Sequence, residues 1–144
     1  MNNLQNLKFV NVTPPAAIVD NAAVTTGAVD VKGWSKACFV VQLGALDIAI
    51  TAMKLRESDD NSSYSDISGA DFSVSPLTLP SATDDNKLFA IFVDLRGRKR
   101  YLDLSLTCGD GAAGTFVSVM AILDGGAEHP NTATERGLSQ QAIV

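Results

Sequence analysis

Residues Gly109-Asp110-Gly111-Ala112-Ala113-Gly114 match the G-x-G-x-x-G spacing that lets backbone amides close on a pyrophosphate at a helix N-terminus. The residues after this loop do not suit that chemistry. Thr115, Val117 and Val119 are β-branched, and too little chain remains after Leu123 for a second strand with an acidic ribose partner. A hairpin loop between two strands is the better reading. The only histidine, His129, stands beside Pro130 in a polar segment with nothing to orient it, which excludes a hydrolase triad. No His/Cys cluster has zinc spacing. Asp59, Asp60, Asn61 and Asp66 could gather oxygens around calcium together with Asp84, Asp85 and Asn86. Their spacing is not that of an EF-hand, and acidic residues crowd solvated turns in any case. No enzymatic activity, cofactor or metal is expected.

The charged residues point the same way. Net charge is −5, which argues against general nucleic-acid affinity. Basic residues concentrate at one place, Arg96, Arg98, Lys99 and Arg100 around Gly97. A solvated turn explains such a cluster; contact with an acidic protein surface is the sharper alternative. The two cysteines, Cys38 and Cys108, are too few for a disulfide framework. By alternation Cys108 shares an inward face with Leu102, Leu104 and Leu106, whereas Cys38 falls opposite Phe39, Val41 and Leu43 and points outward. Two unpaired thiols are expected.

The elements that carry these residues are strands. In Leu88–Cys108, Phe89, Ile91, Val93 and Leu95 alternate on one side of the basic break, and Leu102, Leu104, Leu106 and Cys108 on the other. Period-2 patterning across a short Gly-containing break predicts a hairpin. Phe39, Val41, Leu43, Met53 and Leu55 complete the expected inward set. Residues 22–31 fit a strand bent at Gly27, and 37–43 a second strand. A turn over 44–47 leads to a strand ending at Glu57, then a polar loop over 58–65. Ser68-Gly69 reads as a turn into a weak strand over 70–75, with a further acidic turn over 81–86 and a last strong strand over 115–123.

At 144 residues, with 46% hydrophobic and 19% charged residues, the chain suits one globular domain. Seven or eight short strands between Gly, Ser, Asp and Pro turns predict an all-β fold, a β-sandwich or jelly-roll-like single domain. Its core domain is residues 21–123, flanked by an extended N-terminal arm (1–20), held open by Thr13-Pro14-Pro15, and a polar C-terminal tail (124–144). The apolar runs near Phe39–Leu43 and Phe116–Leu123 are too short to span a bilayer as helices. The start, MNNLQNLKFVNV, lacks signal-peptide character, so synthesis in the cytosol is expected.

The strand over 115–123 is anomalous. Thr115, Val117, Val119, Ala121 and Leu123 fill one face, yet the other carries Phe116, Met120 and Ile122, interrupted only by Ser118. A half-exposed strand is polar there. Either both faces are buried between sheets, or the second face is an interface. Interface candidates are therefore Phe116, Met120 and Ile122, with Arg96, Arg98, Lys99 and Arg100.

Leu43-Gly44-Ala45, then Glu57-Ser58-Asp59-Asp60 with Tyr64, Asp66, Ile67 and Gly69, then Asp94 through Leu102 (DLRGRKRYL) resemble a family of small proteins from tailed phages and prophages. The resemblance spans roughly residues 37–123 and contains turns and strands rather than catalytic motifs. It implies a virion structural protein, of the capsid decoration (cement) type, that binds assembled heads from outside and braces them. The implied partners are the major capsid protein and further copies of the chain, as a trimer, without nucleic acid or membrane. The implied location is the capsid surface, reached from the host cytoplasm during assembly. A tail or head-fibre adaptor is the alternative. A carbohydrate-binding sandwich would need exposed aromatics, for which Trp34, Tyr64 and Tyr101 are the candidates.

Overall fold

The computed structural model describes residues 3–143 as two packed antiparallel sheets, the all-β sandwich expected from the strand pattern. A 3-10 turn over Asn3–Asn6 leads to β1 (Lys8–Thr13), β2 (Ile18–Val19), β3 (Val29–Asp30), β4 (Lys36–Leu43), β5 (Ala52–Ser58), β6 (Ser65–Asp71), β7 (Leu88–Asp94), β8 (Tyr101–Thr107) and β9 (Thr115–Asp124). Sheet I has the order β1-β9-β4-β7, with β2 continuing along β9; sheet II has the order β3-β8-β5-β6.

Alternation builds the core. Phe39 and Val41 from β4, Met53 and Leu55 from β5, Leu102 and Leu104 from β8, and Val119 and Leu123 from β9 are all fully buried between the sheets. Ile91 is buried as well, while Phe89 and Val93 are partly buried against the core on the outermost strand of sheet I. Cys108 is buried and Cys38 half-buried on the opposite side of its strand, and both are free thiols.

The expected hairpin over 88–108 is not formed. β7 pairs with β4 in sheet I, whereas β8 pairs with β5 and β3 in sheet II. The basic segment between them crosses from one sheet to the other. Its corner is pinned by buried Leu95, whose N–H donates to the Ser35 carbonyl and so extends the β4 pairing by one step. Alternation specifies which side chains point inward, and those side chains face one core whether the strands lie side by side or across from each other. The loop over 109–114 likewise joins different sheets instead of closing a hairpin, since β8 and β9 are not neighbours. From β3 onward only β5–β6 is a connection within one sheet.

Two boundaries also differ from expectation. The strand ending in the Glu57 region begins at Ala52, because Leu46 and Ile50 turn into the core from an irregular segment. Gly69 lies inside β6, where the pairing with β5 slips register between Lys54 and Arg56, so it marks a bulge and not a turn.

Both terminal segments lie on the chain's own sheet I. Within the expected arm, β1 pairs with β9 from Lys8↔Leu123 to Thr13↔Val119, and Ile18 pairs with Phe116. The segment after β9 returns along β1, where the Phe9 N–H donates to the Arg136 carbonyl at 2.8 Å. Gly137 makes that approach possible: its φ is +77°, and a Cβ there would collide with the Phe9 carbonyl. The Arg136 side chain, only 7% exposed, donates to Gln5 O, Asn131 O and Gln141 Oε1, so its buried charge is held by three hydrogen bonds. No helix among the described residues is long and apolar enough to cross a membrane.

Candidate docking surface

The outward faces of the two sheets differ in kind. On sheet II, alternation turns Lys54, Arg56, Asp66 and Asp103 outward. Lys54 pairs with Asp66 at 2.7 Å, and Arg56 holds Asp103 through two hydrogen bonds of 3.0 and 2.7 Å. The Arg56 guanidinium also lies 5.4 Å from the centre of the Tyr64 ring. This is the polar, internally neutralised face expected of a sheet turned to water.

Sheet I presents the opposite. Its register aligns Phe9, Ile122, Cys38 and Phe92 in one row across β1, β9, β4 and β7, and Asn11, Met120, Val40 and Ala90 in the next. Ser118, Gln42 and Leu88 form a third, and Phe116 stands beyond it opposite Ile18. The exposures are substantial: Phe92 81%, Leu88 66%, Ile18 54%, Phe116 47% and Met120 38%. Between Met120, Val40 and Ser118 the face dips into a shallow depression of about 340 Å³, flanked by Phe9 and Leu138. So β9 is not enclosed between two sheets; it runs through the middle of sheet I with its second face open. Phe116 and Met120 are exposed there and Ile122 is half-buried. Phe92, Leu88 and Ile18 extend the surface beyond the residues singled out in the sequence. Leu88 and Phe92 were detectable, because they hold the face of β7 opposite Ile91 where polar residues belong.

The basic candidates do not join this surface as free charges. Arg96 is engaged by Asp94, the strand's last residue, through its side chain and its N–H. Arg98 reaches Glu57 at 3.5 Å, and the same carboxylate accepts the Lys99 N–H at 3.1 Å. Arg100 grips Asp30 through two hydrogen bonds and lies over the Tyr101 ring. Each arginine meets an acid of its own chain, which supports the solvated-turn reading of the cluster.

The acidic loops are similarly self-contained. Asp60 Oδ1 accepts from the Ser58 hydroxyl and from the N–H groups of Ser62 and Ser63, which holds its carboxyl far below the usual range. Asp84 accepts from Lys87 Nζ and from Ser81, and Asp85 accepts the Leu46 N–H. Among the described residues no group of three or more His, Cys, Asp or Glu could hold a metal ion. In the glycine loop the amides serve the chain's own carboxylates: Ala113 N–H donates to Asp47 at 2.6 Å and Gly111 N–H to Asp20 at 3.1 Å. That contact lowers the Asp47 pKa, and a Cβ on Gly111 would strike the Asp47 carboxylate, which accounts for the glycine without a nucleotide. The next element after the loop is a strand, β9. Of the aromatic candidates for sugar stacking, Trp34 packs against the core, Tyr64 donates its hydroxyl to Asn61, and Tyr101 lies under Arg100.

Two surface ion pairs contribute to an acid limb, alongside the other hydrogen-bonded carboxyls. Lys87 beside Asp84, and Arg96 beside Asp94, hold those carboxyls at about 2, below the ordinary 3.8. Folded-state pKa values lie below unfolded ones, so the stabilisation is present above 3.8 and is lost as pH falls towards 2. The melting temperature is expected to decline across that window, and Asp84→Asn to flatten the decline slightly, less so in high salt. An unchanged acid limb in the variant would show that the Asp84–Lys87 pair is unimportant.

No protein-family model matches the chain, and no curated protein matches it. Among solved structures, the fold is similar to that of the SPBc2 prophage-derived protein YomS, at 14% sequence identity over 81% of this chain and 91% of that one, with a TM-score of 0.47. A likeness at that level carries no argument about what the chain does.

Proposed function

We propose that this chain is a structural protein of a tailed-phage virion that decorates the assembled head, with the outer face of sheet I as the surface seated on the shell. The observation that carries the reading is the contrast between the faces: sheet II closes its charges on itself, while sheet I leaves Ile18, Leu88, Phe92, Phe116 and Met120 open on one side. Exposed apolar area of this kind costs roughly 25 cal/mol per Å², and a contiguous patch marks a docking site. The family resemblance of the turns around Gly44, Asp60 and Gly97 supplies the class of partner, the major capsid protein, and the capsid surface as location. The face reads as a docking surface rather than a reaction centre, because its most exposed groups are apolar side chains and the Cys38 thiol in the same row is half-buried among them.

Quantifying the chain against the major capsid protein in purified particles tests this. A copy number comparable with that of the capsid protein is expected. A few copies per particle would instead place the chain in a tail or neck, as an adaptor.

A further inference from the structure

We propose that β7 pairs edge to edge, antiparallel, with β7 of a second copy across a two-fold axis. The proposal does not depend on the virion reading. It starts from the four sheet edges. β1 is covered by the returning C-terminal segment through the Phe9–Arg136 bond, and its end bonds Gly27 through the Val12 carbonyl. β3 is two residues long, and β6 is bulged and carries Asp66 and Asp71. Short, covered, bulged or charged edges resist pairing. β7 has none of these protections: it runs LFAIFVD, pairs with β4 without a register slip, and holds no charge before Asp94.

Its bare groups can be assigned. The Lys87 carbonyl accepts from Leu43 N–H at one end, and Leu95 N–H donates to Ser35 at the other. Antiparallel bonding alternates, so odd residues from 87 to 95 face β4, and Leu88, Ala90, Phe92 and Asp94 turn N–H and C=O to the free edge. Among the described residues no backbone hydrogen bond of the neighbouring segment 72–86 reaches them.

A second β7 suits this edge. With Ile91 opposite its own copy, Ala90 lies opposite Phe92 and Leu88 opposite Asp94, and every bare residue is paired. The small Ala90 receives the large Phe92 ring, Phe89 meets Val93, and no like charges face each other. Leu88 of one copy, 66% exposed when alone, comes over a depression of about 570 Å³ lined by Ala37, Phe92 and Val93 of the other together with its charged Lys36, Asp94 and Arg96. The contact is isologous and closes at two copies, leaving only the bulged, charged β6 edge and the two-residue β3 unpaired and joining both sheets I into one sheet. A trimer would require a different, heterologous surface.

Sedimentation equilibrium of the full chain is expected to give twice the 15.1 kDa chain mass. Ala90→Pro removes an N–H that faces away from β4 and fixes φ at a position on an edge strand, where proline is tolerated, so it is expected to keep the circular dichroism spectrum and sediment as a single chain. A wild-type monomer or trimer overturns the proposal, and so does a folded Ala90→Pro variant that remains dimeric. Should that variant fail to fold, amide exchange of the wild type decides. Slow exchange at Ala90 and Phe92 that quickens on dilution upholds the pairing; rapid exchange there at every concentration overturns it.

Discussion

Truncating Leu104 to Ala is expected to destabilise the fold by about 2–5 kcal/mol, the cost of removing buried methyl groups and leaving a cavity. Leu104 is fully buried on β8, aligned with Leu55 of β5, and faces the side chains that β4 and β9 send from the other sheet. It touches no surface implicated in docking, so the loss falls on the monomer. Val74, 59% exposed in a loop, provides the comparison: Val74→Ala is expected within about 0.5 kcal/mol of the parent in urea unfolding. Similar costs for the two variants would mean that β8 does not form the centre of the core.

The side of each strand that Leu104 exemplifies was legible in the sequence. Phe39, Val41, Met53, Leu55, Leu102, Leu104 and Leu106 point inward as alternation requires, because a period of two survives any change of partner strand. Partnership itself was not legible. The break at Arg96–Lys99 has the length and glycine of a hairpin turn, yet Leu95 and the Glu57 carboxylate use it to cross between sheets; both contacts come from residues distant in sequence. β1 was legible only as a possible short strand at Phe9-Val10; the Thr13-Pro14-Pro15 that follows signals an extended path and says nothing of whose sheet that path follows. The apolar second face of β9 was visible as an anomaly, and only the strand order distinguishes an open face from one enclosed by another layer. The open face extends to Leu88 and Phe92 because β4 carries Cys38 and Val40 outward between them and β9.

The second large effect is expected at that face. Met120→Lys puts a charge beside Val40 at the centre of the apolar surface, opposite the fully buried core side of β9. Met120 is already 38% exposed, and a lysine stem can lie along the same surface with its ammonium in water, so the variant is expected to unfold at nearly the parent temperature. Docking is a different matter: the ammonium would be desolvated against an apolar partner without a counter-ion, at a cost of several kcal/mol, which amounts to loss of detectable binding. A variant that instead unfolds outright would place Met120 in the core and remove the argument for the face.

Titration of the purified chain onto assembled heads that lack it tests the docking reading most directly, with binding read by co-sedimentation. Saturable binding in fixed proportion to the capsid subunits is predicted for the wild type, with none for folded Met120→Lys. Failure of the wild type to bind heads, or equal binding by both proteins, would contradict the assignment of sheet I as the surface that holds this protein on the shell.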